Sequence, residues 1–162
     1  MKKLWAPWRA AYVKTAASGA DSGCFLCDDA RAPKKDRANL VVLRGDSCFA
    51  VMNRFPYNVG HLLIAPYAHK AGLADLRAAE RAEMLAQAAT LQAALDDAFH
   101  CDGHNLGINI GRAAGAGLPG HLHLHIVPRW NGDTNFMPTV GETKVLPVSL
   151  DEVYRELKKR LR

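Results

Sequence analysis

Short apolar runs separated by polar segments in the first half of the chain predict three β-strands. Residues 39–43 and 47–52 are rich in β-branched and large apolar side chains, and the Arg44-Gly-Asp46 segment between them is typical of a hairpin turn. A third strand is predicted at residues 61–65, before Pro66. The first two of these strands are therefore predicted to form a hairpin.

The second half of the chain predicts two helices and two further strands. Residues 75–100 contain no Gly or Pro and place large apolar residues at near-helical spacing, which predicts one long helix. Strands are predicted at residues 106–110 and 121–127. Ser149 can cap a last helix, with Glu152 completing a capping box. The apolar positions of the two helices are Leu76, Met84, Leu91 and Leu95 in the first, and Leu150, Val153, Leu157 and Leu161 in the second.

The order of these elements favours an α+β fold, an antiparallel sheet with one long helix and a C-terminal helix packed on it. Residues 1–38 are predicted to be irregular. Their aromatic residues Trp5, Trp8 and Tyr12 are spaced to anchor this segment. Because no inter-domain linker or repeat is present, residues 1–162 are predicted to form a single domain.

Composition narrows the functional classes. The chain has 162 residues, 49% hydrophobic, without a signal peptide or an apolar run of about 18 residues, so we expect a cytoplasmic protein and no membrane partner. The net charge of +5 would attract anions such as nucleotides. Part of this charge lies at the chain end in Lys158, Lys159, Arg160 and Arg162, which is typical of a solvated helix end. The charge is therefore no evidence for a nucleic-acid polymer as partner.

Candidate chemistry is concentrated in the alternating run His121-Leu-His-Leu-His125. In a strand, His121, His123 and His125 would share one face. They could be three unrelated surface residues, or ligands of a catalytic metal, although no acidic residue nearby completes such a site. A neutral imidazole is also a competent nucleophile near neutral pH.

The segment before the histidine run is rich in glycine. Residues 109–120 contain Gly115, Gly117 and Gly120, and such a loop lets backbone amides approach and cradle a phosphate. A glycine-rich loop alone is more often a flexible connection. Because it leads directly into three aligned histidines, it favours an anion site next to a nucleophile.

These residues resemble the histidine triad (HIT) superfamily. His121-Leu-His-Leu-His-Ile-Val-Pro128 is similar to its signature, and Arg129-Trp-Asn-Gly-Asp-Thr-Asn-Phe-Met-Pro138 is similar to its bacterial diadenosine-polyphosphate phosphorylase or hydrolase branch. Leu4-Trp-Ala-Pro-Trp-Arg9 and Met52-Asn-Arg-Phe-Pro-Tyr-Asn-Val-Gly-His61 also resemble that branch. The resemblance therefore covers nearly the whole chain.

The resemblance implies a HIT-like fold whose sheet extends across a homodimer, with a nucleotide beside the triad. It implies that His123 is the nucleophile, that His125 assists through hydrogen bonding, and that Asn53 holds the ribose. Asn109 and the loop to Gly120 would contact phosphate. Without the resemblance, both asparagines are typical turn residues.

The pair Cys24 and Cys27 has the spacing of half a zinc site, and a structural zinc needs four ligands. Spacing alone offers Cys101 and His104 as the other half. The resemblance implies instead that His69 and His121 complete the site, so that zinc positions the strand that carries His123 and is not required for the chemistry. A redox pair and two chance buried thiols are the alternatives. Cys48 is predicted to be a core residue, and His61 to be structural.

The predicted function is cleavage of dinucleoside polyphosphates, such as diadenosine tetraphosphate, or related nucleoside phosphates at the α-phosphorus through a nucleotidyl-histidine. Water as acceptor would make the enzyme a hydrolase, and inorganic phosphate a phosphorylase. The alternatives are a nucleotide-binding module with little turnover and a metal-dependent hydrolase that uses the triad as ligands.

Overall fold

The structure, a computed structural model, describes residues 23–137, 143 and 145–161. Trp5, Trp8 and Tyr12 therefore lie outside the described residues. The described helices are α1 (Phe25–Arg31), α2 (Asp36–Asn39), α3 (Ala78–Phe99) and α4 (Leu150–Arg160), and the strands are β1 (Val41–Arg44), β2 (Cys48–Met52), β3 (Leu62–Pro66), β4 (Gly103–Ile108) and β5 (Leu124–Arg129).

The five strands form one antiparallel sheet in the order β1-β2-β3-β5-β4, which confirms the predicted α+β fold. β1 and β2 form the predicted hairpin, closed by a hydrogen bond from the Gly45 amide to the Cys48 carbonyl. Among the described strands, β5 is an interior strand between β3 and β4, and β4 lies at one edge. The histidine run therefore leads into an interior strand.

The boundaries of the last two strands differ from the prediction. β4 pairs with β5 from Gly103, three residues earlier than expected, because the Asp102 amide already donates to the Arg129 carbonyl. β5 begins at Leu124 because the His121 and Leu122 amides donate to loop carbonyls instead of a neighbouring strand. The first two triad histidines thus precede the strand.

The sheet separates two apolar clusters. On one face, α3 and α4 cover the larger cluster, which includes Met52, Ile64, Leu91, Ile126 and Leu157. The opposite face carries a smaller cluster with Leu26 of α1 and side chains of β1, β2 and β3. Alternation along β5 sends Leu124 and Ile126 into the larger cluster, so His125 faces the other side.

The long helix and the last helix agree with their predicted patterns. All four predicted apolar positions are buried, but α3 begins at Ala78, so Leu76 precedes the helix with an extended backbone and only Met84, Leu91 and Leu95 lie on it. The hydroxyl of Ser149 accepts a hydrogen bond from the Glu152 amide and so caps α4. None of the described helices is both long enough and apolar enough to span a bilayer.

The prediction that residues 1–38 are irregular is wrong for its described part, which contains α1 and most of α2. These helices are too short to show a periodic pattern, and tertiary contacts hold them. The Cys24 thiol caps α1 by accepting from the Cys27 amide, and Leu26 is fully buried. Arg44 also donates to the carbonyls of Asp29 and Ala30 near the end of α1.

Candidate active site

A cavity of about 390 Å³ lies over the ends of β4 and β5, on the face of the sheet away from α3. Its lining residues come from both strands and from the loops after β2 and β5, and they include His125, Asn105, Asn109, Tyr57 and Arg129. His125 is therefore the triad member that lines the cavity. His123 lies next to it, with the two ring centroids 4.9 Å apart, and is only 6% exposed.

The tautomer of His123 is assigned by its backbone partner. Nδ1 lies 2.8 Å from the His121 carbonyl oxygen, so it carries the proton and donates. Nε2 then keeps the lone pair. Burial lowers the pKa of His123, against the opposing effect of this hydrogen bond, so the ring is neutral near pH 7. This is the protonation state that a histidine nucleophile needs.

His125 has the opposite tautomer, because His61 stands between it and the backbone. The Tyr57 amide donates to Nδ1 of His61 at 3.1 Å, so the proton of His61 is on Nε2. That Nε2 donates to Nδ1 of His125 at 2.9 Å. The proton of His125 is therefore on its own Nε2. The triad thus presents a nitrogen with a lone pair on His123 and an N–H donor on His125.

His121 faces away from the cavity. Its Nε2 donates to the Pro66 carbonyl oxygen at 2.8 Å, which leaves the lone pair on Nδ1. Nδ1 lies 3.1 Å from the Cys24 sulfur and 3.5 Å from the Cys27 sulfur. The same sulfur of Cys27 lies 3.2 Å from Nδ1 of His69. All four ligand atoms predicted from the resemblance lie within 4.8 Å of one another.

This Cys24/Cys27/His69/His121 cluster fits a zinc ion. Two thiols and two imidazoles make a donor set typical of structural zinc, and ligands on one tetrahedral zinc have sulfur and nitrogen about 3.6 Å apart. The contact of His121 with Pro66 fits as well, because the Pro66 carbonyl fixes the tautomer that zinc requires of His121. The cluster is thus compatible with zinc, which would hold the chain two residues before His123.

Among the predicted nucleotide-binding residues, Asn109 alone is in the lining of the cavity. Asn53 lies outside its lining, with its side chain in the turn after β2, where Oδ1 accepts from the Phe55 amide. Gly115 has a positive φ of 84°. Gly120 packs against His69, since a Cβ at Gly120 would lie 3.2 Å from Nε2 of that ring. Neither of these glycines, nor Gly117, is among the lining residues.

Sequence reasoning missed several polar residues of the cavity. Asp133 accepts hydrogen bonds from Arg129 and Asn58, and Arg129 also donates to Asn105 across β4. The bond from Arg129 is the main reason that the pKa of Asp133 falls to about 2. Arg129 ends β5 and Asp133 follows a turn, so no periodic pattern in the sequence marked this pair. His61, assigned to structure only, aligns His125 with its hydrogen bond.

The geometry gives the three histidines different surroundings instead of one shared metal site. Within the described part of the chain, the groups of His, Cys, Asp and Glu that could hold a metal include His121 but neither His123 nor His125. Nδ1 of His123 is also occupied by a carbonyl. This arrangement does not favour a metal-dependent hydrolase with the triad as ligands.

Comparison with known proteins agrees with this geometry. The HIT domain family matches residues 34–132, more than half of the chain. The chain belongs to the HIT family. It is 37% identical over 161 residues to the AP-4-A phosphorylase of Mycobacterium tuberculosis strain H37Rv, a match that covers 97% of this chain and 83% of the relative. The resemblance seen in the sequence is thereby confirmed.

Two further HIT proteins extend the comparison. The asymmetrical bis(5′-nucleosyl)-tetraphosphatase of Schizosaccharomyces pombe is 32% identical over 84 residues, which cover 52% of this chain and 46% of the relative. A crystal structure of a zinc-bound histidine triad family protein from Mycobacterium smegmatis superposes with a TM-score of 0.69 at 26% identity, covering 88% of this chain and 95% of that one. The HIT fold is therefore shared with a zinc-bound relative.

Acid should destabilise this HIT protein partly through His61. Burial, with smaller effects of His125 and His123, lowers the pKa of His61 from 6.5 to about 3. Between these values the unfolded chain binds a proton that the folded chain does not, so the free energy of unfolding decreases as pH falls below 6.5. For one group the decrease is at most about 1.4 kcal/mol per pH unit. Urea unfolding of His61→Asn should show a correspondingly weaker pH dependence from about pH 6.5 to about pH 5.

The matched control is His100→Asn. His100 is exposed and ends α3 in the left-handed conformation, which Asn tolerates. At pH 7 its free energy of unfolding should be close to that of the unchanged protein, because no buried side chain is altered. Equal pH dependence of His61→Asn and the unchanged protein would contradict the assignment of a buried neutral His61.

Proposed function

We propose that this HIT protein cleaves dinucleoside polyphosphates, such as diadenosine tetraphosphate, at the α-phosphorus through a nucleotidyl-His123 intermediate. The observation that carries the proposal is the pair of opposite tautomers: a buried neutral His123 with its lone pair on Nε2, beside an N–H donor on His125. A nucleophile next to a donor is the arrangement that phosphoryl-group displacement requires. The AP-4-A phosphorylase and tetraphosphatase relatives support this substrate class.

In the first step, Nε2 of His123 attacks the α-phosphorus while the bond to the bridging oxygen breaks. The leaving group is ATP when the substrate is diadenosine tetraphosphate. His125 lines the cavity, and its Nε2 proton can donate to a phosphate or leaving oxygen bound there. His61 keeps that proton in place, since its own Nε2 proton occupies Nδ1 of His125.

Positive charge develops on His123 as the phosphorus–nitrogen bond forms. The His121 carbonyl oxygen accepts a hydrogen bond from Nδ1–H of His123, 2.8 Å from that nitrogen, and so stabilises the charged ring. This carbonyl belongs to the residue that also lies in the Cys24/Cys27/His69/His121 cluster. Zinc in that cluster, held by those four side chains, would supply a fixed position for the carbonyl and no chemistry at phosphorus.

In the second step, an acceptor displaces Nε2 of His123 from the α-phosphorus. Water releases AMP, and its proton leaves to solvent or to a neighbouring base. Inorganic phosphate releases ADP instead. The name of the Mycobacterium tuberculosis relative favours phosphate as the acceptor.

The rest of the cavity suits a nucleotide. Asn105, Asn109 and the Arg129–Asp133 pair supply polar groups around it, and we assign phosphate contacts to Asn109 and to the loop that contains Gly115, Gly117 and Gly120. Asn53 would leave its turn hydrogen bond to hold the ribose. Its amide already lies 3.3 Å from His61, which places it near the triad.

A substrate panel with and without inorganic phosphate tests the proposal. Diadenosine tetraphosphate should give ATP and ADP with phosphate, or ATP and AMP with water, and products separate by chromatography. Diadenosine triphosphate and adenylyl sulfate complete the panel. Tight AMP binding with no product from any substrate would contradict an enzyme and favour a nucleotide-binding module.

We also propose that the protein is a homodimer that extends the sheet through β4. Among the described strands β4 is an edge, and its middle residues Asn105, Leu106 and Gly107 are exposed. Light scattering should give twice the chain mass, and Leu106→Lys should shift it towards the monomer. A monomeric unchanged protein at micromolar concentration would contradict the dimer.

We also propose that the protein is cytoplasmic. All four cysteines lie in the described part of the chain and none of them is in a disulfide, as is typical of a reducing compartment.

A further inference from the structure

A second group of potential metal ligands lies at the end of α3, away from the zinc cluster. Asp96 stands in the last turn of this helix, and His100 ends it with a left-handed φ of 51°. This reversal brings Cys101 and His104 back towards Asp96. One ligand atom from each of these three residues lies within 4.8 Å of the others.

His104 supplies an independent indication of a ligand. Its side chain is 4% exposed, yet its Nε2 has no hydrogen-bond partner among the described residues. A buried ring nitrogen without a partner is costly, and native proteins rarely keep one without a reason. Nε2 points into the group, since it lies 3.6 Å from the Asp96 carboxylate. That separation is too long for a hydrogen bond but close to the spacing of about 3.3 Å between nitrogen and oxygen ligands on one zinc ion.

The surroundings favour a cation. α3 has 22 residues, and the carbonyl groups at its C-terminal end carry partial negative charge. The carboxylates of Asp96 and Asp102 both act on the Cys101 sulfur and add negative potential there. The Asp96 side chain is 45% exposed, so an ion can reach the group from solvent.

We infer that Asp96, Cys101 and His104 form a second site for a borderline-soft divalent cation such as Zn²⁺. The thiolate sulfur, imidazole nitrogen and carboxylate oxygen are the ligand types that zinc takes, and they exclude hard cations such as Mg²⁺ as good occupants. Binding replaces the thiol proton of Cys101, which passes to solvent, by the metal. Three protein ligands leave a fourth position for water, so this site should lose its ion to a chelator before the four-ligand cluster does.

The location gives the site a structural consequence. His104 pairs with Pro128 at the start of β4, and the next residue, Asn105, lines the cavity and accepts a hydrogen bond from Arg129. An ion held by Asp96 and His104 would join the end of α3 to this edge strand. The site does not depend on the proposed cleavage reaction.

Zinc content measured by elemental analysis tests the inference. The full chain is equilibrated with buffered Zn²⁺ and freed of excess ion, then compared with Cys101→Ala, His104→Gln and Asp96→Asn. The unchanged protein should hold about one more equivalent of zinc per chain than Cys101→Ala or His104→Gln, and Asp96→Asn should bind that equivalent more weakly. Co²⁺ should give a thiolate charge-transfer band that is smaller in Cys101→Ala.

Two controls distinguish a specific three-ligand site from general electrostatic attraction of Zn²⁺ to this part of the surface. Asp102→Asn removes a nearby charge outside the group and should keep the second equivalent, and Cys48→Ala removes a buried thiol elsewhere and should also keep it. Equal zinc content in the unchanged protein and His104→Gln would overturn the inference. A loss of zinc in Asp102→Asn as large as the loss in His104→Gln would also overturn the inference, because charge alone would then hold the ion.

Discussion

Replacing His123 with alanine is expected to lower the turnover of diadenosine tetraphosphate by at least about 10⁴-fold, because the attacking nitrogen is removed. His123 is buried against the sheet, and alanine leaves the neighbouring tautomers unchanged, since Nδ1 of His125 is still held by His61. Initial rates under saturating substrate measure the effect.

His125→Ala should be less damaging, by roughly 10²- to 10⁴-fold, since it removes a proton donor and not the nucleophile. His100→Asn, at the exposed end of α3, should leave turnover unchanged. Circular dichroism and AMP binding by calorimetry establish that His123→Ala is folded. A folded variant with more than about a tenth of the original activity would contradict the assignment.

The second large effect concerns the Cys24/Cys27/His69/His121 cluster. Cys27 approaches both His69 and His121, so Cys27→Ser should abolish tightly held zinc. A ligand present at about a thousand times its dissociation constant stabilises the folded state by about 4 kcal/mol. For a chain of this size, that loss corresponds to a decrease in Tm of about 10 °C.

Elemental analysis after mild chelation and thermal unfolding measure both changes. Cys48→Ala is the matched control, because Cys48 is fully buried in the larger apolar cluster and lies outside both metal-ligand groups. It should keep its zinc and lose only about 1 to 2 kcal/mol from the cavity that it leaves. Full zinc retention in Cys27→Ser, or an unchanged Tm, would contradict a structural zinc.

The sequence predicted the sheet and the two main helices because their signals are local. Met84, Leu91 and Leu95 repeat with helical spacing along α3, and all of them are buried. The helix α1 gave no such signal: it has seven residues, and a thiol cap and one buried leucine hold it. The start of β5 was also misplaced, since side-chain alternation continues through His121 although the backbone there bonds to loops.

The candidate site was predictable where the residues are close in sequence. The histidine run located the chemistry, and the resemblance to the HIT superfamily named the four residues that the structure brings into the metal cluster. The relation between His61 and His125, 64 residues apart, depends on the pairing of β3 with β5 and on the Tyr57 amide. No local pattern encodes those contacts, so the opposite tautomers of His123 and His125 required the structure.

The most direct test of the account is detection of the covalent intermediate. The protein is mixed with diadenosine tetraphosphate, quenched in alkali and digested, and the peptides are analysed by mass spectrometry. The account predicts the added mass of an adenylyl group on His123, present in His125→Ala and absent in His123→Ala. Turnover without any adduct at short reaction times, or an adduct on another residue, would contradict it.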